Sequence, residues 1–404
     1  MVNYAVIVCA LDTKGIECKY MKDLIEAEGL QTLVINTGII GAQLIDADVG
    51  NEEIARLGGS SLAKLIQQGD RGIAVETMMN GTVAKLAELY CEGKVGGIIS
   101  LGGSAGTTIG TAAMRALPIG VPKVMLSTIA SGNTRPYVGM TDVTMVNSIV
   151  DISGLNQISR KTLANAAFSL VGMMKGHIPE TNEMKPIIAA TMFGVTTPCV
   201  TAAKEYLEQR GYEVLAFHAT GIGGQAMESL IESGLISGVL DITTTELADD
   251  IAGGLLSAGP RRLEAAAAKG IPQVVSVGAL DMANFAGLDT VPESLRARKL
   301  YKHNPNVTLI RTTVDENKLI GEMIASKLNP SLGPTAVFLP LKGVSALDDE
   351  GKPFFGPEED KALFSAIRQN LNSNVQLLEF EAHINDEGFA VAMAETLLNM
   401  IENK

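Results

Sequence analysis

The chain has 404 residues, a net charge of −13 and a hydrophobic content of 46%. That length allows two or three domains with cores of their own. The acidic balance, with no run of Lys or Arg longer than two, excludes a non-specific nucleic-acid surface. The 42 glycines, 4% aromatics and absence of tryptophan favour an α/β fold with many βα turns over a sandwich.

The N-terminal MVNYAVIVCALDTKG has no cationic leader and runs straight into a strand, so no signal peptide is expected. No apolar run approaches the roughly 20 residues of a membrane span. Residues 4–38 read as buried strand, polar turn, amphipathic helix, second strand and Thr-Gly. Ile16, Tyr20, Leu24 and Ile25 share the predicted inner face of that helix, and Gly29 is its stop. The turn Asp12-Thr13-Lys14-Gly15 supports two readings. Either Lys14 neutralises phosphate oxygens while Asp12 holds Mg²⁺ or its waters, or Asp12 caps the helix and Lys14 is solvated.

Residues 96–114, GGIISLGGSAGTTIGTAAM, carry the most information. A short apolar run reaches the bend Gly102-Gly103-Ser104-Ala105-Gly106-Thr107-Thr108, and a small-residue helix follows. Strand, glycine loop and helix is how a backbone builds an anion cradle. Glycine permits positive φ and close approach, and free helix-terminal N–H groups point at a phosphate. Ser104, Thr107 and Thr108 are candidate hydroxyl donors. The loop matches neither GxxxxGK[ST] nor GxGxxG, so tight helix–sheet packing is the competing reading. Ser131-Gly132-Asn133 follows the next strand as a third small polar turn on the same edge.

A polar, proline-bearing join is expected at Gly176–Lys185, dividing the chain into lobes 1–180 and 186–404. The second half repeats the plan of the first. Residues 186–221 parallel 4–38, residues 238–241 parallel 97–100, and residues 270–277 parallel 120–127. Further strand-like runs lie at 307–312, 336–341 and 375–380, and a final helix at 389–401. The expected fold is therefore α/β: two Rossmann-like lobes, each a mostly parallel sheet flanked by helices, with a cleft between them.

In the second half Gly221, Gly223 and Gly224 open a helix directly after a strand, as a phosphate turn does. His218 ends that strand and is either a general base or a satisfied structural histidine. Glu246 and Asp281 are the acid candidates at strand ends, with Asp241 beside them. Asp249 and Asp250 are expected to face solvent. His177 and His303 are placed in polar segments, and His383 ends the last strand. Cys9, Cys18, Cys91 and Cys199 show no CxxC spacing and read as reduced thiols of a cytoplasmic protein. No residue spacing assigns a metal site.

LDTKG (11–15), SLGGSAGTT (100–108), STIASGNTRPYVG (127–139), HATGIGGQAME (218–228), DITTTELADDIAGG (241–254), GALDMANF (278–285), FLPLKGVSALD (338–348) and HINDEGFA (383–390) together resemble the Tm-1-like ATP-binding family, also called UPF0261. The resemblance implies a two-lobed α/β protein that binds ATP with Mg²⁺ held through the phosphates, and that dimerises. By motif position it implies nucleotide contacts from Asp12, Lys14, Gly15, the 102–108 loop and Ser131 to Asn133. The antiviral activity of the plant member that names the family is not carried over. Three functional readings follow. One is an ATP-dependent enzyme acting on a small metabolite, with His218, Glu246 and Asp281 as its chemistry. Another is a nucleotide-responsive binding protein without turnover. The last is a non-ATP enzyme of a phosphorylated or carboxylated sugar-acid-type substrate.

Overall fold

The computed structural model describes residues 3–177, 179 and 185–403, so most of the expected join at Gly176–Lys185 lies outside the described residues. The chain divides into two compact units, residues 1–180 and 181–404.

Unit 1 is built on β1 (Tyr4–Cys9), β2 (Thr32–Asn36), β3 (Val95–Gly102), β4 (Lys123–Ser127) and β5 (Thr144–Asn147). They form one parallel sheet in the order β2-β1-β3-β4-β5. Near-continuous apolar runs such as AVIVC suit strands covered on both faces. Ala5, Ile7 and Cys9 pack with the helices Leu11–Ala27 and Gln157–Lys175. Val6 and Val8 pack on the other face, with the helices Arg71–Cys91 and Ser104–Arg115.

The inner stripe of Leu11–Ala27 differs from the one expected. Cys18, Met21 and Ile25 are buried, Tyr20 and Leu24 flank them, and Ile16 is 53% exposed. The backbone at Lys14 leaves helical geometry (φ −128°, ψ 17°), which separates the first turn from the rest of the helix.

Unit 2 contains β6 (Ile187–Met192), β7 (Glu213–His218), β8 (Gly238–Thr243), β9 (Gln273–Gly278), β10 (Met282–Phe285), β11 (Leu300–Asn304), β12 (Val307–Arg311), β13 (Thr335–Pro340) and β14 (Gln376–Phe380). Six of these form a parallel sheet ordered β14-β13-β9-β8-β6-β7. Counted within each unit, the first five parallel strands follow one order: second, first, third, fourth, fifth. The parallels read between residues 97–100 and 238–241, and between 120–127 and 270–277, fall on the third and fourth strands of the two sheets. Both units are thus parallel sheets flanked by helices, as expected of an α/β chain.

One face of the second sheet is covered by the helices Thr197–Glu208 and Glu387–Glu402, which share a cluster with Ile188, Ala190, Leu240 and Phe338. The expected strand at 307–312 belongs to neither parallel sheet. It is β12, the centre of an antiparallel sheet ordered β10-β12-β11. His303 lies exposed on β11 and not in a loop. No helix of the described residues is long and apolar enough to cross a membrane.

Candidate functional site

In unit 1 the strand order reverses between β1 and β3, and ligands of open parallel sheets bind outside the carboxyl ends at such a point. Because β1, β3 and β4 are neighbours, their following turns meet there. The helix Ser104–Arg115 starts without a side-chain cap, and no described acceptor meets the N–H groups of Ser104, Ala105 or Gly106. Three donors and the positive end of a helix are thus left for an anion. A Cβ on Gly102 would lie 2.9 Å from Gly106 Cα, whereas one on Gly103 would meet nothing nearer than Thr128 Oγ1 at 3.7 Å. Neither glycine has positive φ, so the first serves close approach and the second is not demanded by the fold.

The expected hydroxyl donors are committed elsewhere. Thr107 Oγ1 donates to the Gly103 carbonyl (2.8 Å) and lies 2.7 Å from Ser127 Oγ. Thr108 Oγ1 donates to the Ser104 carbonyl at 2.9 Å. Ser104 itself is exposed, so backbone N–H groups are what this turn offers.

Asp12 does not cap the helix it opens. Its Oδ2 accepts from the N–H groups of Ile39 (3.0 Å), Ile40 (3.1 Å) and Gly41 (3.4 Å), in the loop after β2, while its buried Oδ1 has no partner. Lys14 is not simply solvated. It is half-buried and its Nζ donates to the Ile152 carbonyl, yet no described carboxylate lies within ion-pair distance of it. Gly15 answers to packing, since a Cβ there would sit 2.7 Å from Leu44 Cβ. Ser131, Gly132 and Asn133 are exposed in the turn after β4, where Asn133 Oδ1 accepts from Arg135 N–H at 3.3 Å.

The glycine turn of unit 2 already holds an anion. Glu246 Oε1 accepts from the N–H groups of Gly221 (2.7 Å) and Gly224 (3.1 Å), and its Oε2 accepts from Arg262 Nε at 2.6 Å. Gly221 has φ 81°, and a Cβ on Gly224 would lie 2.3 Å from Glu246 Oε2. The place expected for an external phosphate at Gly221, Gly223 and Gly224 is therefore filled by the chain's own carboxylate. Glu246 is 1% exposed with both oxygens engaged, which removes it from acid–base work.

Arg262 is the hub of this region. Its guanidinium pairs bidentately with Asp241 (2.5 and 2.7 Å) and reaches Glu228 at 3.4 Å. Burial opposes its charge, but Asp241, Glu246 and Glu228 hold its pKa well above the ordinary guanidinium value. Burial also raises the pKa of Glu228, against the pull of Arg262 and of the Ala265 and Leu263 N–H groups. Asp249, expected in solvent, is 1% exposed. It accepts from Asn284 N–H (2.8 Å) and Nδ2 (2.7 Å), and burial lifts its pKa to about 6.

Asp281 sits in a second buried cluster. It accepts from Ser345 Oγ at 2.8 Å, and its Oδ1 has no partner. Nearby Arg311 reaches Asp360 (2.8 Å) and Asp348 (3.6 Å). Burial, then the charge of Asp348, raises Asp281 to about 7 and Asp360 to about 8. His218 is exposed at the end of β7, its ring 5.4 Å from that of Phe193. His383 is fixed in one tautomer. Its Nδ1 accepts from Asn385 N–H at 3.1 Å, so Nε2 donates to the Ser345 carbonyl at 2.9 Å. His218, Glu246 and Asp281 thus share a sheet edge without sharing a reacting point. Among the described residues no group of His, Cys, Asp and Glu is placed to hold a metal ion.

Residues 3–179 match the "Uncharacterised protein family (UPF0261) N-terminal domain" and residues 185–401 its C-terminal domain. The chain belongs to the UPF0261 family. A UPF0261 protein of Clostridium tetani is 57% identical over 398 residues, covering 98% of each chain. The tomato (Solanum lycopersicum) ToMV resistance protein Tm-1(GCR237) is 45% identical over 337 residues, covering 82% of this chain and 45% of that one. Among solved structures, the Methanocaldococcus jannaschii UDP-GlcNAc 2-epimerase matches 98% of this chain and 93% of its own, at 9% identity and a TM-score of 0.23. The Streptomyces glycosyltransferase SsfS6 matches 68% and 82%, at 15% identity and a TM-score of 0.20. Likenesses of that size say nothing about what this chain binds.

Several residues of this UPF0261 chain carry the site's electrostatics without a signal in the sequence. Arg261 and Arg262 are adjacent and identical, yet the first is exposed and the second is 1% exposed. Arg311 and Asp360 are likewise invisible until β12 and the helix Pro357–Asn370 come together. The one available signal was the glycine turn at 221–224, which demands an anion without saying whose.

Proposed function

We propose that this UPF0261 chain is a nucleotide-binding protein, with its phosphate site at the Gly102–Gly106 turn of unit 1 and ATP with Mg²⁺ as the ligand. The observation that carries the reading is the uncapped start of the helix Ser104–Arg115, with three N–H groups that no described residue accepts from, at the β1/β3 reversal. Lys14, a half-buried cation without a counter-ion among the described residues, lies at the same edge and supports it. The fit to the group is direct: backbone donors and a lysine suit phosphate oxygens, and the partnerless Asp12 Oδ1 suits a hydrated Mg²⁺. The family resemblance supplies ATP as the specific nucleotide.

Binding without turnover is the favoured form of this reading, because Glu246 is fully engaged and Asp281 is 0% exposed. Calorimetric titration with Mg-ATP tests it. Wild type binds, and Lys14→Ala weakens binding about tenfold or more while its melting curve stays near wild type. Absence of heat or thermal shift with any nucleotide would overturn the reading.

A further inference from the structure

The helix Pro357–Asn370 turns one face to a cavity of about 470 Å³ beside the carboxyl end of β13. Pro357, Asp360, Lys361 and Phe364 recur there at helical spacing, and Leu341, Lys342 and Phe355 close the cavity from the segments that follow β13. Leu341, Phe355 and Phe364 make its wall largely apolar. A concave site of this size, apolar with a few polar groups, suits a small molecule.

Asp360 is the buried carboxyl of that cavity. The residue is 8% exposed, its Oδ1 accepts from Arg311 Nη2 at 2.8 Å, and its Oδ2 accepts from no described donor. Asp281 Oδ1 is likewise partnerless but sealed from solvent. The exposure that Asp360 keeps is on its side chain, and it opens into the cavity.

Charge selects the ligand. Asp281, Asp348 and Asp360 gather around a single guanidinium, that of Arg311. Asp348 also accepts from the N–H groups of Val344 (3.0 Å) and Gly356 (3.2 Å). Burial first, and then the charge of Asp348, makes Asp360 keep its proton up to about pH 8. The cluster is short of positive charge, and Asp360 alone of the three carboxyls is within reach of a cation from outside. No group of His, Cys, Asp and Glu among the described residues is arranged for a metal ion, so a compact organic ammonium is the cation that fits. The rim carries Lys342, Lys361, Asp349 and Glu350, all exposed and none in an ion pair among the described residues. Arg368, further along the helix, is already paired with Glu379. Free charges of both signs around an apolar wall match a ligand that itself carries both.

We propose that this cavity binds an amino acid, its ammonium on Asp360 Oδ2, its carboxylate on Lys342 or Lys361, and its carbon body against Leu341, Phe355 and Phe364. As the ammonium arrives, the carboxyl proton of Asp360 leaves to solvent and the resulting carboxylate takes the ligand's N–H donors. No covalent bond of the ligand changes. The site lies within unit 2 and is independent of the nucleotide reading of unit 1.

The test uses the full chain. The common amino acids, each at about 10 mM, are screened by thermal unfolding, and the one that raises Tm most is titrated by calorimetry in two buffers of different ionisation heat. At about pH 7 wild type binds it with release of about one proton, and at about pH 9, where Asp360 is already ionised, the release falls towards zero. Asp360→Asn binds about tenfold more weakly or worse and releases no proton. Replacing Lys342 and Lys361 together by Ala weakens the amino acid and leaves its decarboxylated amine unchanged. If no amino acid raises Tm, if wild type releases no proton at about pH 7, or if Asp360→Asn binds as wild type does, the proposal fails. If the deaminated acid binds as tightly as the amino acid, the cavity is an anion site and the role of Asp360 is overturned.

Discussion

Two glycine turns in this chain look alike in sequence and differ in what they hold. The turn at 102–106 ends β3 and leaves three N–H groups without partners among the described residues. The turn at 221–224 follows β7, and Glu246 occupies its N–H groups. The loop after β2 behaves like the second, since Asp12 fills the N–H groups of residues 39–41. A backbone that gathers donors calls for an anion, and a nearby carboxylate meets that need as well as a phosphate does. The difference lies in whether the chain supplies its own.

The sharpest way to break this comparison is to remove the internal anion. Glu246→Ala leaves Arg262 Nε and the N–H groups of Gly221 and Gly224 without their acceptor, while Asp241 and Glu228 still face the guanidinium, at a cost of about 3–5 kcal/mol. That lowers Tm by about 10 °C, and added formate recovers part of the loss. A variant as stable as wild type would mean the turn is not an anion site at all.

Proton linkage in the Arg311 cluster comes next. Asp281 and Asp360 hold protons more tightly in the folded chain than in the unfolded one, where carboxylates titrate near about 4. Their contribution to stability is complete below that value and is lost as pH rises through about 7 and about 8. Thermal scans therefore show Tm falling by several degrees from about pH 6 to about pH 9, and Asp360→Asn flattens the profile. A Tm that rises across this range would contradict the cluster's geometry.

A paired substitution separates the open turn from the filled one. Gly103→Ala fits the fold and weakens ATP binding about tenfold with Tm unchanged, because its Cβ meets nothing closer than 3.7 Å. Gly221→Ala does the reverse, losing stability at φ 81° while ATP affinity stays. Identical effects on ATP binding would erase the distinction between the turns. The smallest effect is expected from Asp12→Asn, about 1 kcal/mol, read as faster hydrogen exchange at the amides of residues 39–41.

The common α/β plan of the two halves was legible because buried runs, glycine stops and Thr-Gly turns recur at matching places in both. The open turn was legible because three small polar turns follow β1, β3 and β4. The filled turn was not, because the anion at Gly221 and Gly224 comes from a helix on another strand's end. The hub at Arg262 was hidden for a related reason: a buried arginine and its exposed neighbour read alike until partners 16 to 34 residues away converge on one of them. The antiparallel sheet was missed because periodicity finds strands such as 307–311 without saying which sheet they join.

The helices Thr197–Glu208 and Glu387–Glu402 lie on one face of the second sheet, and Met393 and Leu397 share a cluster with Ile188, Ala190 and Leu240. On the ribosome this sets an order of events. Unit 1 completes its core once the helix Gln157–Lys175 has emerged, while unit 2 is still being made. Thr197–Glu208 covers the β6 side as soon as it is made, but the face over β8 and β9 stays bare until Glu387–Glu402 is delivered, long after both strands. For that interval the nascent chain presents an apolar sheet face, and that face is where a chaperone would bind it.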